Sequence, residues 1–176
     1  MLESRVASAI RTIPNYPKKG VDFRDITPIL TDVQLVNEML AAFVQAGRET
    51  GVNAVVAIES RGFYFGPSIA IQLGVPFIPL RKRDRFPGSK ITYHTYDLEY
   101  GSQTIEINAA DLPEDARVMI HDDLLATGVT AAAAAKLIRD SGGEVAMFSF
   151  IAHLEYLDGA DKLLSHSQNI FTLAEL

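Results

Sequence analysis

The chain of 176 residues contains no cysteine. That absence removes disulfides, thiolate zinc sites and cysteine nucleophiles together. Histidine is scarce too: the four present are scattered and suggest no metal site by spacing. Positive charge is in deficit, since 16 Lys and Arg against 22 Asp and Glu leave a net charge of −6. A non-specific nucleic-acid binder needs a basic field, so no nucleic-acid partner is expected. No window approaches about 18 uninterrupted apolar residues, so no membrane span is expected. The opening MLESRVASAIRTIPNYPKKG lacks the apolar stretch of a secretory signal. These absences predict a soluble, cytoplasmic protein. Internal repeats are absent, and the one low-complexity run is Ala131 to Ala135.

What is present is core material. Hydrophobic residues make up 48% of the chain, enough for a filled interior, and the length predicts one domain over residues 1–176. Val36, Leu40, Phe43 and Val44 recur at helical spacing between Val33 and Thr50, and Gly51 stops that helix. Ala54 to Ile58 is a short continuous apolar run, the pattern of a strand buried on both faces. A helix from Gly66 to Leu73 and a strand from Val75 to Leu80 follow. Val118 to Ile120 reads as a strand, Thr130 to Arg139 as a helix ended by Gly142 and Gly143, and Val145 to Ala152 as a further strand. Alternating strands and helices predict βαβ units and a parallel sheet, with ligands outside the carboxyl ends of its strands.

Two segments depart from this rhythm. Arg81 to Asn108 opens with the basic run Arg81-Lys82-Arg83-Asp84-Arg85 and passes a Pro87-Gly88 turn. It then shows polar strand-like pieces, with alternation over Thr104 to Ile107. It reads as a mobile hairpin excursion with an unusually basic stem. The second segment is His121-Asp122-Asp123-Leu124-Leu125-Ala126-Thr127-Gly128-Val129-Thr130, between a strand and a helix. Unpaired N–H groups and the dipole at a helix start attract anions, and glycine permits close approach. A Walker A ending and a GxGxxG run are both missing, which argues against NTPase and dinucleotide readings. Carboxylates would repel a phosphate but accept strong bonds from a neighbouring ribose diol. The segment therefore reads as a sugar-phosphate site. Asp122 and Asp123 take the 2′- and 3′-hydroxyls, and Ala126, Thr127, Gly128, Val129 and Thr130 take the 5′-phosphate. The plainer alternative is a strand end followed by a helix cap.

The stretch VMIHDDLLATGVT resembles the 5-phosphoribosyl 1-diphosphate (PRPP) motif of type I phosphoribosyltransferases. Gly20-Val21-Asp22-Phe23-Arg24-Asp25-Ile26-Thr27-Pro28, Glu59-Ser60-Arg61-Gly62-Phe63 and Leu98-Glu99-Tyr100-Gly101 are similar to the adenine phosphoribosyltransferase family, in its order and spacing. The resemblance covers most of the chain. It implies the type I fold: a mostly parallel central sheet flanked by helices, with a flexible hairpin loop and a small N-terminal hood. It also implies purine salvage, in which adenine and PRPP give AMP and diphosphate. Mg²⁺ would be bound mainly through the PRPP diphosphate without a direct protein ligand, and the enzyme would be a homodimer.

The same resemblance assigns residues. Ser60 and Arg61 would grip the diphosphate, together with Arg81, Lys82 and Lys90 from the basic loop. Glu99 would handle the purine proton as the catalytic group. Phe23 and Leu154 would sandwich the base, and main-chain groups around Asp22 and Arg24 would read its polar edge. Asp22 stands where the family pattern implies a neutral residue, and Val129 where many relatives have glycine. Enzymes for 6-oxopurines typically use a Lys to hold the exocyclic oxygen. After His153-Leu154-Glu155 the next Lys is Lys162, which favours adenine. Two alternatives remain at this level: a sensor of PRPP or nucleobase without catalysis, and an enzyme for xanthine or guanine.

Overall fold

The computed structural model describes residues 1–83, 91–98 and 101–176. The chain opens with helix α1 (Leu2–Ala9) and a two-stranded antiparallel ribbon of β1 (Arg11–Ile13) and β2 (Phe23–Asp25). The ribbon is closed by Arg11, whose Nε donates to Asp25 Oδ2 at 3.1 Å. The Thr27 N–H at 2.9 Å, with Arg11 and the Thr27 hydroxyl, holds the Asp25 carboxyl down at about 2. Helix α2 (Val33–Glu49) starts where Asp32 Oδ1 accepts the Leu35 N–H at 2.9 Å, a side-chain cap for an otherwise orphaned donor. It buries Leu35, Met39, Leu40, Phe43 and Val44 along one face. The chain turns out of it through Gly51 at φ 67°.

Strand β3 (Ala54–Ile58) is buried at every position, as a central parallel strand must be. It is followed by α3 (Gly66–Leu73), β4 (Phe77–Lys82), β5 (Ile91–Leu98), β6 (Gly101–Asn108) and β7 (Arg117–Leu125). Then come α4 (Val129–Asp140), β8 (Glu144–His153), α5 (Gly159–Leu163) and β9 (Ile170–Glu175). The described residues form a seven-stranded sheet in the order β5-β6-β4-β3-β7-β8-β9. β4, β3, β7, β8 and β9 run parallel, and β5 and β6 form an antiparallel hairpin at one edge. Pleating sends alternate side chains to opposite layers. Val56, Ile58, Val118 and Ile120 pack with α4 on one face. Val55, Met119 and Ile151 pack with α1, α2 and α3 on the other. Among the described residues no helix is long and apolar enough to cross a membrane.

Several boundaries differ from expectation. β4 begins at Phe77, not Val75, and runs on through Arg81 and Lys82, because these pair with Glu106 and Ile105 of β6. The start of the basic run is thus strand and not loop. β7 extends past Ile120 to Leu125, so Asp122 and Asp123 lie within the strand and not after it. The reason is β8, whose backbone keeps pairing with β7 as far as Leu125↔His153. The C-terminal residues, which carry no clear sequence signal, form β9 against β8.

Candidate active site

The β3 ladder on β7 stops at Ala57↔His121, four residues before the β8 ladder does. The carboxyl ends of β3 and β7 therefore diverge into a crevice, the usual ligand position in such sheets. Asp122 and Asp123 occupy this divergence and leave the strand on opposite faces. Asp122 lines a cleft with Ala126, Thr127, Gly128 and Thr130. Asp123, 3% exposed, points the other way and pairs its Oδ2 with Arg61 Nε at 2.8 Å. Burial, then the adjacent Asp123, pushes the Asp122 carboxyl well above the usual carboxylate range. Burial also raises Asp123, with Arg61 opposing the shift. Two crowded acids with raised pKa values at the mouth of a crevice make this a candidate site.

The loop after β7 turns through Gly128 at φ 73°, which a residue with a side chain adopts only with strain. Gly128 caps α4 without any side-chain cap bond, so the first-turn N–H groups are left for an anion. Val129 opens α4 outside the positive-φ region, so the departure from glycine there is accommodated. Thr127 is exposed at the loop tip. Thr130 Oγ1 lies 3.3 Å from the Tyr96 hydroxyl of β5, which ties the hairpin to this end of α4.

Ser60 and Arg61 follow β3, and the Glu59–Ser60 peptide is cis. Arg61 starts a single 3₁₀ turn, Arg61–Tyr64. Besides Asp123, its guanidinium donates from Nη1 to Arg24 O at 3.3 Å and lies 5.0 Å from the centre of the Phe23 ring. One arginine thus joins the ribbon, the β3 turn and β7. Arg81 Nη2 lies 3.6 Å from Glu59 Oε1, and the Lys82 N–H donates to Glu59 Oε2 at 2.9 Å. Arg81 and Lys82 are thereby brought beside Ser60. Phe23 meets Tyr16 edge-on at 5.4 Å, Arg24 Nη1 bonds Thr12 Oγ1, and the Asp22 side chain is exposed. Leu154 is buried directly after β8, its N–H on Leu125 O at 2.8 Å. Lys90 and Glu99 lie outside the described residues.

Two residues of the Glu59-Ser60-Arg61-Gly62-Phe63 motif gain a structural role here that the sequence does not assign. Glu59 holds the end of β4 to the β3 turn. Gly62 lets that turn lie on β7, since a Cβ there would sit 2.8 Å from His121 O. A glycine directly after Arg61 was the visible signal, but only the register of β7 shows what it approaches. Beneath the site, His121 is fully buried between Phe43 and Phe65, at ring-centre distances of 5.0 and 6.4 Å. Its Nδ1 lies 2.9 Å from Ser149 Oγ. Burial lowers its pKa to about 3, so it adds no charge to the crevice.

Comparison with known proteins supports the same fold. The family model described as "Phosphoribosyl transferase domain" matches residues 25–171. The adenine phosphoribosyltransferase of Cytophaga hutchinsonii is 42% identical over 173 residues, 98% of this chain and 95% of the relative. The crystal structure of adenine phosphoribosyltransferase from Thermoanaerobacter pseudethanolicus superposes with a TM-score of 0.92 at 39% identity, covering 100% of both chains. The enzyme of that name from Saccharomyces cerevisiae, complexed with D-2,5-dideoxy-2,5-imino-altritol 1,6-bisphosphate and adenine, gives a TM-score of 0.90 at 35% identity over 98% of each chain.

Proposed function

Because the chain belongs to the adenine phosphoribosyltransferase family, we propose that it converts adenine and PRPP to AMP and diphosphate, a purine-salvage step. The observation that carries this reading is the contiguous run from Asp122 to Thr130. It sets two crowded carboxylates beside an uncapped helix start, in the crevice where β3 and β7 part. A ribose 5-phosphate has the same order of groups, a diol and then a phosphate. Asp122 and Asp123 hold the ribose hydroxyls, and Ala126 to Thr130 hold the 5′-phosphate. Ser60, Arg61, Arg81 and Lys82 take the diphosphate, with Lys90. Phe23, the Arg24 main chain and Leu154 receive adenine. Glu99 manages the purine proton as N9 attacks C1′ and the C1′–diphosphate bond breaks. Supporting this reading, a relative at 35% identity holds adenine and a bisphosphate together.

The donor set suits Mg²⁺ carried in on the substrate. The two carboxylates present are engaged with Arg61 and with the Asp123 N–H. Mg²⁺ commonly keeps several waters and binds through substrate phosphates. Once bound, it would neutralise charge on the leaving diphosphate. The reading includes a cytoplasmic homodimer, testable by sedimentation.

Base choice tests the proposal. Adenine presents an amino donor at C6 and an acceptor at N1, while hypoxanthine and guanine present the reverse. A pocket that reads one pattern with main-chain groups leaves buried polar pairs mismatched with the other, which costs about a hundredfold or more. With PRPP and Mg²⁺, diphosphate release is expected with adenine at a kcat/KM about a hundredfold or more above either 6-oxopurine. Equal turnover of a 6-oxopurine would overturn the base assignment, and release with no base would overturn the reaction.

A further inference from the structure

The segment after Leu154 has no role in the substrate reading, yet it meets the phosphate loop at atomic contact. Asp158, at φ 49°, turns the chain into the short helix α5, whose Gly159 and Leu163 are buried. A Cβ on Gly159 would lie 2.0 Å from Ala126 O and 2.8 Å from Gly128 N. Reciprocally, a Cβ on Gly128 would lie 2.3 Å from Gly159 O. Two glycines therefore let two backbones touch where the starts of α4 and α5 meet. Three residues on, and so on the same side of the helix, Lys162 Nζ donates to Thr127 O at 2.7 Å. The C-terminal end of α5 is tied down as well. Leu163 is fully buried in the layer that contains α4, and Arg139 of α4 donates to His166 O at 2.8 Å.

We propose that α5 clamps the phosphate loop, with Gly159 and Lys162 as positioning residues for the 5′-phosphate of PRPP and AMP. This rests on the reaction proposed above. The Thr127–Gly128 peptide is trans, so its C=O and N–H point in opposite directions. Anchoring Thr127 O on an ammonium group fixes the direction of the Gly128 N–H. The same bond polarises the peptide and makes that N–H a stronger donor to an anion. It also places a positive charge one peptide away from a dianion. Gly159 sets the distance: any side chain there would push Ala126 and Gly128 out of the cradle. Lys162 is thus accounted for on the phosphate side of the site.

The test compares Lys162→Met, Lys162→Arg and Gly159→Ala with the wild type. Steady-state kinetics give separate KM values for PRPP and adenine, and calorimetry gives affinities for AMP and adenosine. For Lys162→Met, PRPP KM and AMP Kd are expected to rise about three- to tenfold. Adenine KM and adenosine Kd should stay within about twofold, because the lost bond acts only through the phosphate loop. Lys162→Arg should restore most of the loss, and Gly159→Ala should exceed tenfold on the PRPP side. If Gly159→Ala does not fold, the Met and Arg pair decides alone. Unchanged PRPP KM in Lys162→Met, or parallel losses for AMP and adenosine, would overturn the clamp. A wild type that fails to release diphosphate from adenine and PRPP would instead overturn the reaction, so the two failures are distinguishable.

Discussion

The two ends of the crevice are built on different principles. In the proposed reading the phosphate end is one contiguous run, Asp122 to Thr130, which combines two carboxylates with backbone N–H groups at the start of α4. In the same reading the base and diphosphate end is collected from separated places: Phe23–Arg24 on β2, Ser60–Arg61 after β3, Arg81–Lys82 at the end of β4 and Leu154 after β8. Its charged side chains already hold partners in the structure: Arg61 holds Asp123 and Arg24 O, and Arg81 holds Glu59. Backbone donors aimed by the fold can meet a phosphate without rearranging, whereas paired side chains must exchange partners when a charged substrate arrives. The first end is preorganised, and the second is poised.

The largest expected effect breaks the preorganised end. Gly128→Ala adds a methyl group at φ 73° and 2.3 Å from Gly159 O. Backbone strain of about 1–2 kcal/mol combines with a backbone clash that only a loop shift relieves. The kcat/KM for PRPP is expected to fall about a hundredfold or more, with adenosine affinity nearly kept. Near-normal PRPP kinetics would show that the loop is adaptable and erase the contrast between the ends.

A smaller effect probes the poised end. Asp123 is buried and Arg61 is partly exposed, with side-chain exposures of 5% and 30%. A double-mutant cycle of Asp123→Asn and Arg61→Met should give a coupling of about 0.5–3 kcal/mol in thermal stability without PRPP. With saturating PRPP the coupling should shrink, because the ribose diol and the diphosphate then take over the two partners. Asp123→Asn alone should lose about tenfold to a hundredfold in kcat/KM, the loss of one charge-assisted bond. A coupling that PRPP leaves unchanged would make the pair a fixed strut.

The same contrast governs what could be read from the sequence. The candidate phosphate end could be proposed from the sequence because its residues are consecutive, and the structure places them at one strand end and the helix start that follows it. The apolar runs of β3 and β8 and the stops at Gly51, Gly74 and Gly142 were legible for the same local reason, and each glycine has a positive φ. The ends of β4 and β7 were misjudged because partner strands, not the residues themselves, decide where pairing stops. Arg81 and Lys82 read as loop until β6 pairs with them. The Arg61–Asp123 pair joins residues far apart in the chain, and the meeting of Gly128 with Gly159 depends on where α5 docks. No local pattern encodes either contact.

The smallest expected effect separates stability from function at Asp122. Its carboxyl is raised well above the ordinary range, first by burial and then by Asp123. A carboxyl with a folded-state pKa above its unfolded value binds protons more readily in the folded chain. Its contribution to stability therefore declines as pH rises from the unfolded value, near 4, through the folded one. Asp122→Asn removes a charge that the fold holds at a cost, while keeping the shape. The variant should melt about 2–4 °C above the wild type at pH 8, corresponding to roughly 1 kcal/mol for a chain of this size. The gain should vanish at pH 4, where the wild-type carboxyl is protonated in the folded state. PRPP turnover should fall in the same variant, since a neutral amide accepts a ribose hydroxyl more weakly than a carboxylate. Melting curves of both proteins across this pH range, with kinetics at neutral pH, check the sign. An Asn variant less stable than wild type at pH 8 would mean that the Asp122 carboxylate, bonded to the Asp123 N–H at 2.9 Å, supports the strand more than its crowding opposes it.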